Sequence, residues 1–455
     1  MIRYCSELTS GPVRSLGRLI SKEITNILDK FAVWVRDAVE RRLNRPYIQF
    51  ICLLVLVVYL AVFATSFATS VNGRTIFGPS LGADFGAFYV AGQIFNTSQP
   101  DQIYDTRLQR ELYQEQFPYN PPDAQLPYVN APFFILPFTI LARLPYSWAY
   151  LLWVLLSLAL YVTGFSLVWR ALEKIPQDAW FIALLLALSF MPFLVECLAG
   201  GQTSAVAFFC LAFAINRERR GYYILSGLAL SLCAYKPTLL LLVVPMLLIT
   251  RRHSTLLGFV AGCVVLALVS LLVVGRQGCL GYINTLLYFT NASTSSASGL
   301  RSWKYVDINS FFRLLVGNYL YLRWTLTAAA FLITLPFLFR YWGKRARKRP
   351  TEQSLAWALT ITWTLVLNLY VGIYDTALVV LSLLLTTNVF CHGEDEDRLW
   401  LPTSYKLILL LLYVVPWVTQ PIARLTNLQI YTVVLALLGS WQLIQFQRLG
   451  TRARS

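Results

Sequence analysis

Apolar runs long enough to span a bilayer recur along almost the whole of this chain, and that repetition leaves it few possible folds. About 30 Å of hydrocarbon is crossed by roughly twenty helical residues, and within it every backbone N–H and C=O must find its partner inside the segment. The first run covers Tyr47 to about Ala68. Others fall near 131–143, 146–169, 179–196, 202–216, 222–235, 237–250, 255–275, 321–342, 353–371, 374–390, 401–418 and 429–447. Only 13% of the 455 residues are charged, where a soluble domain carries about 25%. The expected fold class is therefore an all-α polytopic membrane protein, with about 11–12 transmembrane helices and short interfacial helices in an outer-loop region. One membrane domain is expected over 47–447, between a cytoplasmic amphipathic N-terminal segment, 1–46, and a basic cytoplasmic tail, 448–455.

A net charge of +16 in a soluble protein would suggest nucleic acid. Here the basic residues gather in short loops and at both ends, the bias that orients membrane helices with positive loops inside. Once the spans are removed, no aromatic-interleaved basic surface remains for nucleic acid. Arg41, Arg42 and Arg45 then sit inside, as do Arg217-Glu218-Arg219-Arg220, Arg251-Arg252, the 344–349 cluster and the tail with Arg448, Arg452 and Arg454. Both termini are expected in the cytoplasm and the protein in the plasma (inner) membrane. Four apolar runs separate the outer segment around Asp84 from the inner Arg217 loop, yet an odd number of crossings is required. The 131–143 run, short and broken by Pro132, Pro137 and Pro145, is expected to dip without crossing. The rival assignment lets it cross and fuses 222–250 into one long helix.

The first residues hold no short apolar stretch with a cleavage site, so no cleavable signal peptide is expected. Residues 14–43 space Leu16, Ile20, Ile24, Ile27, Phe31, Trp34 and Val39 near a helical period, which suits an interfacial helix or a partly ordered extension. Eight cysteines show no C-x-x-C pair, and with only His253 and His392 a histidine-based metal site is disfavoured. No cofactor is expected; a divalent metal is not indicated.

Between the first span and the next apolar run lies a polar segment rich in Asp, Tyr and Pro, an outer loop over 70–130. A carboxylate just past a span, among aromatic and small residues, is how a membrane enzyme presents a base at the bilayer surface. Asp84 is the first candidate for that role. The plain alternative makes it the N-cap of a helix starting at Phe85. Lys236, followed by the helix-breaking Pro237, interrupts an apolar stretch. It is read either as a cation for a lipid phosphate or as a lysine snorkelling from a span end. Gln202, in Gly200-Gly201-Gln202-Thr203-Ser204, and Asp375, in Tyr374-Asp375-Thr376, are read as site residues or as a turn and a cap. A second outer loop, 276–310, brings Arg301, Lys304 and Asp307, a phosphate or acceptor clamp unless it is merely solvated.

The order of these features resembles glycosyltransferase family 87, the polyprenol-phosphate-mannose-dependent mannosyltransferase-like group of GT-C membrane glycosyltransferases. The likeness runs from Asp84-Phe85, with Phe88-Tyr89 and Ala91-Gly92, through Tyr104-Asp105, Ala131-Pro132-Phe133, Leu136-Pro137 and Leu144-Pro145, with Ala149 and Trp153. It continues through Gly201-Gln202, Ser204, Tyr235-Lys236-Pro237, Asn309-Ser310 and Tyr374-Asp375, covering roughly residues 80 to 380. One departure is local: the family's usual Tyr-Pro-Pro is Asn130-Ala131-Pro132 here. The resemblance implies a GT-C-like fold and transfer of a hexose, mannose by family habit, from a polyprenyl-phosphate sugar to a hydroxyl of a glycan or glycolipid acceptor at the outer face. It implies Asp84 as the catalytic carboxylate, with Tyr89, Asp105, Gln202, Lys236 and Asp375 on the substrates; Arg301 and Lys304 join them from the second outer loop as cations for the phosphate, with membrane lipids as the surroundings. Two rivals remain. A lipid-linked sugar flippase would need charges on several spans, where Lys236 is nearly alone; a non-catalytic assembly subunit would have no need of the outer-loop acid.

Overall fold

The computed structural model describes residues 45–71, 73–76, 80–97, 99–120, 127–292, 302–344, 350–391 and 401–452. The amphipathic stretch 14–43, Arg301 and residues 345–349 of the basic cluster lie outside them. The described residues are helical with no strand beyond isolated bridges, so the protein is all-α and multi-pass as expected. The chain divides into two compact units, Met1–Cys52 and Leu53–Ser455. Of the first, only the opening turns of the helix Arg45–Ala68 are described; the second carries everything that follows.

Among the described residues six helices are long and apolar enough to cross a membrane, Arg45–Ala68, Tyr146–Trp169, His253–Leu287, Leu320–Gly343, Ile373–Phe390 and Thr403–Thr426. A further pair, Gln177–Leu188 bending by 56° into Pro192–Ala199, reaches that length and apolarity only when its two halves are taken together. Most of the remaining apolar runs are helices too, but shorter than the roughly twenty residues of a full span, because proline and polar breaks interrupt them. Pro132–Leu141 is ten residues of mixed 3₁₀ and α-helix, shorter than a full span. The 222–250 stretch is not one helix: Tyr223–Leu232 gives way to 3₁₀ turns on both sides of Lys236, whose extended backbone (φ −134°, ψ 84°) redirects the chain into Val243–Ile249. The rival assignment expected one long helix over 222–250, and the break makes it two short ones.

Lipid-facing sides are aliphatic, with Leu257, Val264, Leu268 and Leu272 exposed along one helix. The interior is unusually aromatic around Phe85, which packs against Tyr89, Phe138, Tyr146, Tyr150 and Trp153. Polar contacts gather at the helix ends. At one end Glu218 pairs with Arg252, Arg219 binds the Ala171 carbonyl and the Ser354 hydroxyl, and Asn388 accepts from the Lys174 N–H at 2.9 Å. These bonds join loops that the charge pattern assigns to one face. At the other end lie Asp84, Gln202, Lys236 and Asp375.

Candidate active site

Asp84 precedes the helix Phe85–Asn96 but does not cap it. Its backbone is already helical (φ −86°), and its carboxylate takes no bond from the helix N–H groups. Instead its own N–H donates to the Gly200 carbonyl at 3.0 Å, and Oδ2 accepts from Gln202 Nε2 at 2.7 Å. Among the described residues Oδ1 accepts no hydrogen bond. The turn carrying Gln202 is possible because Gly201 adopts φ +76°; a Cβ there would also stand 2.6 Å from Phe85 Cβ. Glycine is therefore demanded twice at that point, by conformation and by contact. Tyr150 and Trp153 hold the turn from the helix Tyr146–Trp169, donating to the Ala199 and Gly201 carbonyls at 2.7 and 3.1 Å.

Lys236 approaches from the break in its helix and pairs with the Asp375 carboxylate. Asp375 is almost fully buried and is further held by Ser204 Oγ at 2.9 Å and the Gly372 N–H at 3.2 Å. The ammonium lies 4.7 Å from the Tyr374 ring centre and 5.7 Å from that of Tyr370, a cation–π arrangement that disperses its charge. Tyr235 supports this corner, stacking on Phe134 at 4.2 Å and donating to the Thr203 carbonyl at 2.9 Å.

The second outer segment reaches the same place through backbone. Val306 N–H donates to Val371 C=O at 2.9 Å, and Tyr305 and Tyr370 share a hydroxyl bond at 2.9 Å. Asp307, fully buried, accepts from the Ser310 N–H and Oγ at one side and from the Val371 N–H at 3.0 Å on the other. Burial pushes the Asp307 carboxyl up to about 6 against the pull of those hydrogen bonds, and burial also holds the Tyr305 and Tyr370 hydroxyls above the usual tyrosine range, protonated.

Asp84, Gln202, Lys236, Tyr370 and Tyr374 line one cavity of about 160 Å³, whose apolar side is made by Ala87, Phe88, Pro127, Val129, Leu286 and Leu369. Asp375 stands behind Lys236 rather than on the cavity wall. Tyr89 is placed elsewhere: its hydroxyl donates to the Leu144 carbonyl at 2.8 Å and its ring packs against Tyr146. Asp105 is an exposed helix cap, accepting from the Arg107 and Leu108 N–H groups at 2.9 and 3.1 Å. Lys304 lies over the Trp303 ring at 5.7 Å, outside the cavity lining. The residue reading gave no role to Tyr370 and Tyr374, although two tyrosines around Gly372 and beside an acid were visible as a signal. Among the described residues no group of three or more His, Cys, Asp or Glu is arranged to hold a metal ion.

The model of glycosyltransferase family 87 matches residues 128–368, more than half of the chain. That range includes Gln202, Lys236 and Lys304 and stops short of Asp84 on one side and Asp375 on the other. No curated protein and no solved structure matches the chain.

Proposed function

The chain belongs to glycosyltransferase family 87, and on that premise we propose that it moves a hexose, mannose by family resemblance, from a polyprenyl-phosphate sugar to an acceptor hydroxyl at the outer face of the membrane. One observation carries the reading: a carboxylate with a free oxygen and an ammonium line the same cavity beside an apolar wall. In the proposed step Asp84 Oδ1 takes the proton of the acceptor hydroxyl. The new bond from that oxygen to the anomeric carbon forms as the bond to the phosphate oxygen breaks. Polyprenyl phosphate leaves with the electron pair, and the anomeric centre inverts. A phosphate is already a good leaving group, so the step needs charge stabilisation more than a general acid. Lys236 has three donors; Asp375 engages it from behind, and the remainder are available to the leaving phosphate. The apolar wall around Leu286 suits the first isoprene units.

The test is Asp84→Asn in purified protein supplied with a polyprenyl-phosphate hexose. Asparagine preserves the shape and the bond from Gln202, while removing a general base costs about 10²–10⁴-fold in rate. Turnover should nearly vanish with donor binding retained. Transfer at the normal rate would remove Asp84 from catalysis and the proposed mechanism with it.

A further inference from the structure

An acid beside the active site, Glu196, has no task in the transfer step. It stands on the broken helix Pro192–Ala199, one turn ahead of Gly200, whose carbonyl takes the Asp84 N–H at 3.0 Å. It is not part of the lining of the Asp84 cavity. Its Oε1 accepts from Gln420 Nε2 at 2.6 Å. Oε2 accepts no hydrogen bond among the described residues, and it is not sealed in the interior, for Glu196 is partly exposed.

Backbone brings Lys304 to the same corner. Thr419, the residue before Gln420, bonds to Gln429, and Gln429 Nε2 donates to the Trp303 carbonyl at 2.8 Å. Adjacent positions of one helix, Thr403–Thr426, thus tether Glu196 directly and the Trp303–Lys304 peptide through Gln429. The Lys304 ammonium is partly exposed and makes neither an ion pair nor a hydrogen bond among the described residues, lying only over the Trp303 ring. Glu196 feels the charges of both Lys304 and Asp84. Trp417, three positions before Gln420 and so on the same helix face, adds a partly exposed ring packed on Tyr59 at 5.7 Å.

Opposite charges near one another but not in contact keep their hydrogen-bonding capacity: an oxygen still able to accept, and an ammonium with its three donors uncommitted. Neighbouring hydroxyls of a sugar ring, each both donor and acceptor, satisfy the two at once. A phosphate would suit Lys304 but would meet the carboxylates of Asp84 and Glu196, and like charges repel strongly where water is sparse. We propose that Glu196 and Lys304 hold a neutral sugar unit of the acceptor beside Asp84, which makes the acceptor a glycan rather than a simple lipid alcohol. The proposal rests on Asp84 as the base of the transfer step.

Full-length protein in phosphatidylcholine nanodiscs, without donor, would be titrated with mannobiose, maltose and mannose 6-phosphate and binding read by saturation-transfer NMR. The wild type should bind a disaccharide in preference to the sugar phosphate. Glu196→Gln, which keeps an oxygen for Gln420, and Lys304→Met should each weaken that binding by about tenfold or more, the loss expected for one charge-assisted contact. In transfer from polyprenyl-phosphate mannose, both variants should raise the KM for the disaccharide and leave that for the donor unchanged. Three results overturn the proposal: no binding of either disaccharide by the wild type, wild-type binding by both variants, or tighter binding of mannose 6-phosphate. A raised donor KM in Lys304→Met, making it a phosphate clamp, overturns it as well. Binding read without turnover separates this test from the catalytic one, since Asp84→Asn transferring at the normal rate would remove the base and leave the two variants' loss of sugar binding intact. Should Glu196→Gln not fold, Lys304→Met decides it.

Discussion

Removing the Lys236 ammonium does more than delete a contact to substrate, because Asp375 behind it is 1% exposed and depends on that charge. Breaking one partner of a buried ion pair costs about 3–5 kcal/mol, since the other charge is left uncompensated. Lys236→Ala should therefore unfold at markedly lower temperature, whereas Lys236→Ala combined with Asp375→Asn should recover most of that loss in a melting experiment. Neither variant should bind donor normally. A double variant as unstable as the single one would show that the pair does not couple. Gln202 acts at one remove, through its bond to Asp84. Gln202→Leu should lower kcat by about 10–100-fold, the worth of one hydrogen bond to a charged group, with the KM for donor nearly unchanged. A rise in KM at constant kcat would instead make Gln202 a substrate contact.

Short elements hold these residues, and two of them make distinct predictions. The Gly200–Ser204 turn cannot accept a side chain at position 201 without moving Phe85, the neighbour of Asp84. Gly201→Ala should cost about 1–3 kcal/mol in stability and reduce transfer at the same time. Asp307 clasps the segment that precedes the helix Leu320–Gly343, joining Ser310 to Val371 beside the cavity tyrosines. Its folded carboxyl titrates near 6, above its ordinary value of 3.8, so between those pH values the native state holds a proton that the unfolded chain has released. This contribution is fully present below about pH 4 and is lost as pH rises to about 6, on the order of 3 kcal/mol in all. Asp307→Asn should flatten that part of the stability–pH curve, and an unchanged slope would assign it to another group. The sequence offered Asp307 only as part of a clamp or of a solvated loop; its bond to Val371 was not legible, because the partner lies 64 positions away.

Across the whole molecule, the two polar ends predict opposite labelling. With native cysteines replaced, a single cysteine at Arg107, 88% exposed, should react with an impermeant reagent only from outside, and one at Arg251 only from inside. Reaction of both from the same side would undo the topology and the proposed outer-face chemistry. That the chain is an all-α membrane protein was settled by its sequence alone, because bilayer thickness and the cost of unpaired backbone groups convert long apolar runs into spans whatever they pack against. Local breaks were equally legible: proline and lysine at 236–237 stop a helix by their own covalent and electrostatic nature. Which acids share a cavity was left to the tertiary structure. Asp84 and Asp105 look alike in sequence, each just ahead of a helix, yet one turns its carboxylate to Gln202 and the other spends it on its own helix N–H groups. Tyr89 was equally plausible until its hydroxyl met the Leu144 carbonyl. These outcomes depend on partners 55 and 118 positions away, and contacts at such separations are fixed by how helices pack rather than by any property of the neighbouring residues.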